Sequence, residues 1–146
     1  MKNVDIGKGF ESYFKKCLEL KGWSVLRIPD GCKQISQFKI IRVKSPFDFV
    51  ATRAGKMSFF CDAKTVTGEA FPFSAVDQNQ VNALLRIERS GFIAGYVIHF
   101  RQVGVYGFAS AKKLANLTER TSVKARETID LGKELNIDLL FIKKHE

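Results

Sequence analysis

Asp62 and Lys64 stand two apart in the stretch MSFFCDAKTVTG, residues 57–68. In an extended strand, a period of two puts Ser58, Phe60, Asp62 and Lys64 on one face and Met57, Phe59, Cys61 and Ala63 on the other. The second row is apolar and reads as core. The first turns ionic where the strand is expected to run out. An acid and a base on one face are either an exposed ion pair or half of an active site. A second carboxylate bears on that choice. Residues 47–65, FDFVATRAGKMSFFCDAKT, read as a hairpin around Gly55. With a three-residue loop of Ala54, Gly55 and Lys56, opposed residue numbers sum to 110 and Asp48 falls opposite Asp62. Opposed β-carbons lie about 4.5–5.5 Å apart, so two carboxylates there repel unless a divalent cation stands between them.

Phosphodiester hydrolysis asks for that combination. It needs a nucleophilic water, neutralisation of charge in the transition state and help for the leaving oxygen. One or two magnesium ions held by carboxylates supply all three. Asp48 and Asp62 are the candidate ligands, with the backbone carbonyl of Ala63 as a third. Lys64, one pleat along, would orient the water or balance developing negative charge. Glu11, if its helix packs across that strand end, adds an outer or second-metal carboxylate. Each residue also has an ordinary reading. Asp62 and Lys64 read equally as solvated charges on a strand end, Glu11 as a solvated helix edge and Asp48, after Ser45-Pro46, as a turn residue.

The elements that would carry these residues can be read in outline. Residues 8–21 form an amphipathic helix closed by Gly22, with Phe10, Phe14, Cys17 and Leu18 on one stripe and Glu11 at its edge. WSVLRI is a strand ended by the turn signal PDG. Residues 31–44 are basic, lack strong turn signals and read as an extended ribbon. After the hairpin, a helix spans about 75–89 with Ser74 as N-cap and Gly91 beyond its end. Gln80 lies on its apolar stripe, where a buried backbone group would be its ordinary partner. FIAGYVIHF and VYGFAS are two further strands joined at residues 102–104, and SAKKLANL is a short helix capped by Ser110. The remainder reads as irregular, ending in a short helix. Helix, strands, helix, strands, helix make a mixed sheet flanked by helices, in one domain over residues 1–146.

Composition narrows the partners. The net charge of +9 is uneven: from Lys33 to Lys56 the bases Lys33, Lys39, Arg42, Lys44, Arg53 and Lys56 face only Asp48, and a second basic run spans Lys112 to Arg126. A polyanion accounts for such segregation through phosphate neutralisation; a solvated basic surface is the ordinary alternative. Lys33, Lys39, Arg42, Lys44 and Arg53 are the candidate DNA contacts. No apolar run approaches the roughly 20 residues of a membrane helix, and nothing near Met1 reads as an export signal, so a cytoplasmic location is expected. Cys17, Cys32 and Cys61 with His99 and His145 lack zinc-ligand spacing. Free thiols are expected, with Cys61 in the core and His99 a satisfied sheet residue.

Glu11, then SPFD ending at Asp48, then DAK at residues 62–64, together resemble the signature of the PD-(D/E)xK nuclease superfamily. The flanks narrow the likeness. The DAKTVT run, the FPF after it, a helix bearing Gln80 and a strand ending VIHF are similar to the central block of RecU-type Holliday junction resolvases. IDLGKELNIDLL is similar to that family's ending. The likeness covers roughly residues 8–110 and, more loosely, 128–142. It implies a restriction-endonuclease-like α/β core, a homodimer with two active sites, magnesium or manganese, and paired nicks in a four-way DNA junction. By position it makes Asp48 and Asp62 metal carboxylates, Lys64 the motif lysine, Glu11 the helix glutamate and Gln80 a helix glutamine of the catalytic set. Residues 31–44 fall where a projecting basic stalk belongs. The chain departs from the pattern in three places: Phe47 separates Pro46 from Asp48, Asp62 stands where glutamate is usual, and the stalk segment is short. Three other functions fit parts of the same residues: a general repair, restriction or phage endonuclease, a non-catalytic DNA-binding module, and a structural protein with a basic surface.

Overall fold

An amphipathic helix opens the chain of the computed structural model, which describes residues 3–43 and 45–134. This helix, α1 (Asn3–Leu20), buries Phe10, Phe14 and Leu18 completely, the stripe expected from their spacing. It starts before the expected residue 8 and stops before Gly22, whose φ of +89° only glycine adopts readily. There follow β1 (Ser24–Arg27), β2 (Gly31–Ser36), β3 (Lys39–Val43), β4 (Phe49–Thr52), β5 (Phe59–Val66) and β6 (Ala70–Pro72). Next come α2 (Gln78–Arg89), β7 (Ile93–Phe100), β8 (Val105–Ser110), α3 (Ala111–Ala115), β9 (Ser122–Lys124), β10 (Ile129–Asp130) and α4 (Leu131–Glu134).

Six strands form one sheet in the order β1-β4-β5-β7-β8-β10. Only β5 and β7 run parallel, as the crossover through α2 requires; the other neighbours are antiparallel. The sheet is mixed and flanked by helices, as expected. α1 covers one face over Phe49, Cys61, Val97 and Tyr106. α2 and α3 cover the other over Ala94, Tyr96, Ile98 and Phe100, through Val81, Leu84 and Leu114. Two small two-stranded sheets stand apart from this one, β2-β3 and β6-β9.

Several local expectations need correcting. Ser74 does not cap α2. The chain makes a 3-10 turn at Phe73–Ala75 and is still extended at Val76 and Asp77, so no helical N–H lies within reach of Ser74. Asp77 is the cap, its carboxylate accepting from the backbone N–H of Asn79 and Gln80 at 3.0 and 3.2 Å. Met57 is not core: β5 begins two residues later and Met57 is exposed. Residues 31–43 fold into an antiparallel ribbon turning at Gln37 and Phe38. The segment read as irregular holds β9, β10 and α4; any further helix of the ending falls outside the described residues, as does Lys44.

Candidate active site

The β4–β5 hairpin decides where the carboxylates meet. Phe49 pairs with Cys61, Val50 with Phe60 and Ala51 with Phe59, the sum of 110 that a three-residue loop dictates, and Gly55 turns that loop at φ +75°. The paired register ends there, and Asp48 and Asp62 are the residues next to the last pair, close together at the strand end. The Asp48 backbone is held on both sides: Asp48 N–H donates to Cys61 O at 3.1 Å, and Ile28 N–H donates to Asp48 O at 2.8 Å. The approach is pinned by Ser45, whose N–H donates to Asp30 Oδ1 at 2.8 Å and whose hydroxyl donates to Phe47 O at 3.0 Å. Asp48 thus sits in the bend just before β4, tied by its backbone to the strands on either side. Its Oδ2 accepts from Ala63 N–H at 2.8 Å.

Asp62 is 2% exposed, in mid-strand rather than on an exposed strand end, so it is not a solvated surface charge. The Lys64 ammonium lies 2.8 Å from Asp62 Oδ2. Burial, then the neighbouring Asp48 carboxylate, push the Asp62 carboxyl up to about 7, with Lys64 pulling the other way. The Asp48 carboxylate is near enough to Asp62 to disfavour its charged form, so two like charges crowd one spot. That is also where a hard cation fits. Among the described residues no third carboxylate, cysteine or histidine joins the pair as a ready cluster. The donor set is thus two carboxylates and a backbone carbonyl, with water for the rest, which suits an ion that keeps much of its hydration.

Glu11 approaches from the α1 side. Its Oε1 lies 3.0 Å from Arg27 Nη2, close in distance but off the angle of a hydrogen bond. It is near enough to Cys61 to raise the thiol further after burial, Asp62 and Asp48 have done so, and Cys61 is an inert core thiol. Gln80 is 4% exposed and reaches the ionic cluster through a residue the sequence did not single out. Tyr96 Oη donates to Gln80 Oε1 at 3.0 Å, and the Lys64 ammonium sits 5.1 Å from the centre of the Tyr96 ring. His99 is buried in a stack with Phe10 and Tyr106, at ring separations of 5.1 and 4.8 Å, and burial, with Arg101 behind it, lowers its pKa to about 4.

The candidate DNA contacts are dispersed. Lys33 and Arg42 occupy the β2-β3 ribbon and exposed Lys39 follows its turn. Arg53 is exposed at the far end of β4, beside Gly22. The four residues of β4 lie between it and Asp48, five rises or roughly 16 Å. Arg27, which the sequence reading passed over, is nearer, opposite Phe49.

A family model described as Recombination protein U matches residues 21–145. Among solved structures, the chain is similar to that of Archaeoglobus fulgidus Hjc, a Holliday junction resolvase from an archaeal hyperthermophile. The TM-score is 0.59 with 17% identity, over 88% of this chain and 99% of that one, a likeness of fold. A search of curated proteins finds no match.

Proposed function

The chain belongs to the Recombination protein U family, and from that membership and the facing aspartates we propose that it is a metal-dependent Holliday junction resolvase. The observation that carries the reading is the half-buried Asp48 just before β4 beside the buried Asp62 of β5, with Asp48 Oδ2 accepting from Ala63 N–H and Lys64 2.8 Å from Asp62. Two carboxylates and an ammonium gathered at one strand end serve no purpose in packing and cost burial energy. They do serve hydrolysis of a phosphodiester.

In this reading Asp48, Asp62 and the Ala63 carbonyl hold magnesium or manganese, which when bound supplies Lewis-acid stabilisation and an activated water. Lys64 holds a positive charge beside the attacked phosphate and orients the water. Glu11 remains an outer carboxylate, kept near the strand by Arg27. Gln80 belongs to the same set. Lys33, Lys39, Arg42, Lys44 and Arg53 contact phosphates, which orients a substrate by shape rather than sequence. The acting species is a homodimer in the cytoplasm. Among the described residues no helix is long and apolar enough to cross a membrane.

The test is cleavage of a labelled four-way junction and a matched linear duplex, in magnesium and in chelator, beside Asp62→Ala. Paired nicks in the junction alone, lost in chelator and in the variant, are the expected result. Equal cutting of both substrates would leave a general repair, restriction or phage endonuclease. Tight junction binding without cutting would make the chain a binding module, and neither binding nor cutting a structural protein.

A further inference from the structure

Tyr96 is completely buried at the centre of β7, between the ionic pair and the start of α2. It is the parallel-strand neighbour of Asp62, so its ring leaves the sheet on the face that carries the Asp62 and Lys64 side chains. The ring lies under the Lys64 ammonium at 5.1 Å, the range in which an aromatic face attracts a cation. Its hydroxyl is used in both directions: it accepts from Asp77 N–H at 3.2 Å and donates to Gln80 Oε1 at 3.0 Å. A hydroxyl so fixed cannot rotate, and the ring it ends is locked with it. Phe71 closes the remaining side, edge-on at 5.8 Å.

We propose that Tyr96 is a positioning residue that seats Lys64 against Asp62, and that Gln80 acts on the site through the Tyr96 hydroxyl. The inference rests on the nuclease reading above. Gln80 Oε1 accepts from the hydroxyl, the hydroxyl fixes the ring, and the ring fixes where the ammonium rests. Lys64 is a long, flexible side chain, so an ammonium free to wander loses the alignment that makes it useful; small misplacements of reacting groups have large effects on rate. The Asp77 contact ties the same hydroxyl to the N-cap of α2, so the helix is anchored at the point where the site needs it rigid.

The experiment compares the unmodified chain, Tyr96→Phe, Gln80→Met and the double variant. It measures single-turnover cleavage of junction DNA in magnesium, and binding of the same DNA in calcium. Tyr96→Phe keeps the ring and removes only the hydroxyl. Its cleavage rate should fall by ~10-fold or more with DNA affinity unchanged, Gln80→Met should fall comparably, and the double variant should be no worse than either alone, because both break one linkage. A purely structural role would lower the melting temperature and leave the rate of the folded protein alone. A Tyr96→Phe rate within twofold of the parent, or losses that multiply in the double variant, overturns the inference while leaving the nuclease intact. If Tyr96→Phe does not fold, Gln80→Met alone decides, and an unchanged rate there overturns it. Absence of metal-dependent cleavage in the unmodified chain removes the nuclease reading and this inference together.

Discussion

Asp62 sits between two influences of opposite sign, and its environment sets how the metal-free protein responds to pH. Burial and Asp48 raise its pKa from 3.8 to about 7 against the pull of Lys64. A carboxyl raised on folding binds more protons in the native state, so its contribution is fully present below pH 3.8 and is lost as pH rises through 7. Asp62→Asn should therefore stabilise the metal-free chain at pH 8, by about 2 kcal/mol, with the gain shrinking toward pH 4. Urea unfolding of both proteins at the two pH values in chelator measures this, and equal stabilities at pH 8 would refute it. Magnesium should then raise the melting temperature of the parent at pH 8 and leave the variant unmoved, since only the parent offers both carboxylates. Lys64→Met keeps the stem and removes the charge. It should lower single-turnover cleavage by ~10²–10⁴-fold while binding in calcium stays within about twofold. At this scale the sequence was informative where a turn fixes register. The nearness of Asp48 to Asp62 was readable because a three-residue hairpin loop fixes the register up to Phe49 and Cys61, the residues next to them. Tyr96 was not, since β5 and β7 are joined through a helix and no local turn says which residue lies beside Asp62.

The β2-β3 ribbon stands apart from the main sheet, with Phe38, Ile40 and Ile41 exposed. It pairs only with itself, and its turn carries Phe38 at 92% exposure, beside Lys39 and below Ile40 at 69%. An aromatic ring held out on a basic ribbon has no packing partner among the described residues. A base can stack on such a ring for ~1–3 kcal/mol, and a branch point offers bases whose own stacking is already interrupted. Phe38→Ala should therefore weaken junction binding by roughly 10-fold and duplex binding much less; titrations of both DNAs under one salt condition measure the difference. Equal loss on the two would make Phe38 a general contact. The ribbon was expected from composition, but its hairpin turn was not, because Gln37-Phe38 lacks the glycine or asparagine that usually announces one. β9 and β10, of three and two residues, were missed for a different reason. Strands that short fall below the length at which alternation can be read, and pairing with β6 and β8 is what makes them strands. The α2 cap went to Asp77 over Ser74 for a tertiary reason: Tyr96 Oη holds the Asp77 N–H and sets where the helix begins.

For the molecule as a whole, hydrophobic periodicity gave the layers correctly, because a sheet with helices on both faces must be apolar on both. Among the described residues, the same layering leaves one end of the sheet uncovered. On the α1 side, Trp23, Met57, Phe59, Ile93, Phe108 and Ile129 line an apolar groove. Met57, Ile93 and Ile129 are 54, 41 and 56% exposed in the single chain. Paired nicks on symmetric strands need two Asp48–Asp62 sites held in fixed relation, and one chain supplies one of them. On the proposed function, a second copy of the chain would satisfy both requirements: it would bring the second site, and a self-complementary contact through this groove would remove the apolar surface from water. Light scattering on the purified protein should then give twice the chain mass of 16.5 kDa. Ile129→Lys, which places a charge at the rim of the groove on the edge strand β10, should shift it to the chain mass without lowering the melting temperature by more than a few degrees. In a junction assay, that monomer should give single, uncoordinated nicks in place of paired ones. A parent that is monomeric at micromolar concentration, or an Ile129→Lys variant that remains dimeric, would mean that the two sites are brought together by some other surface.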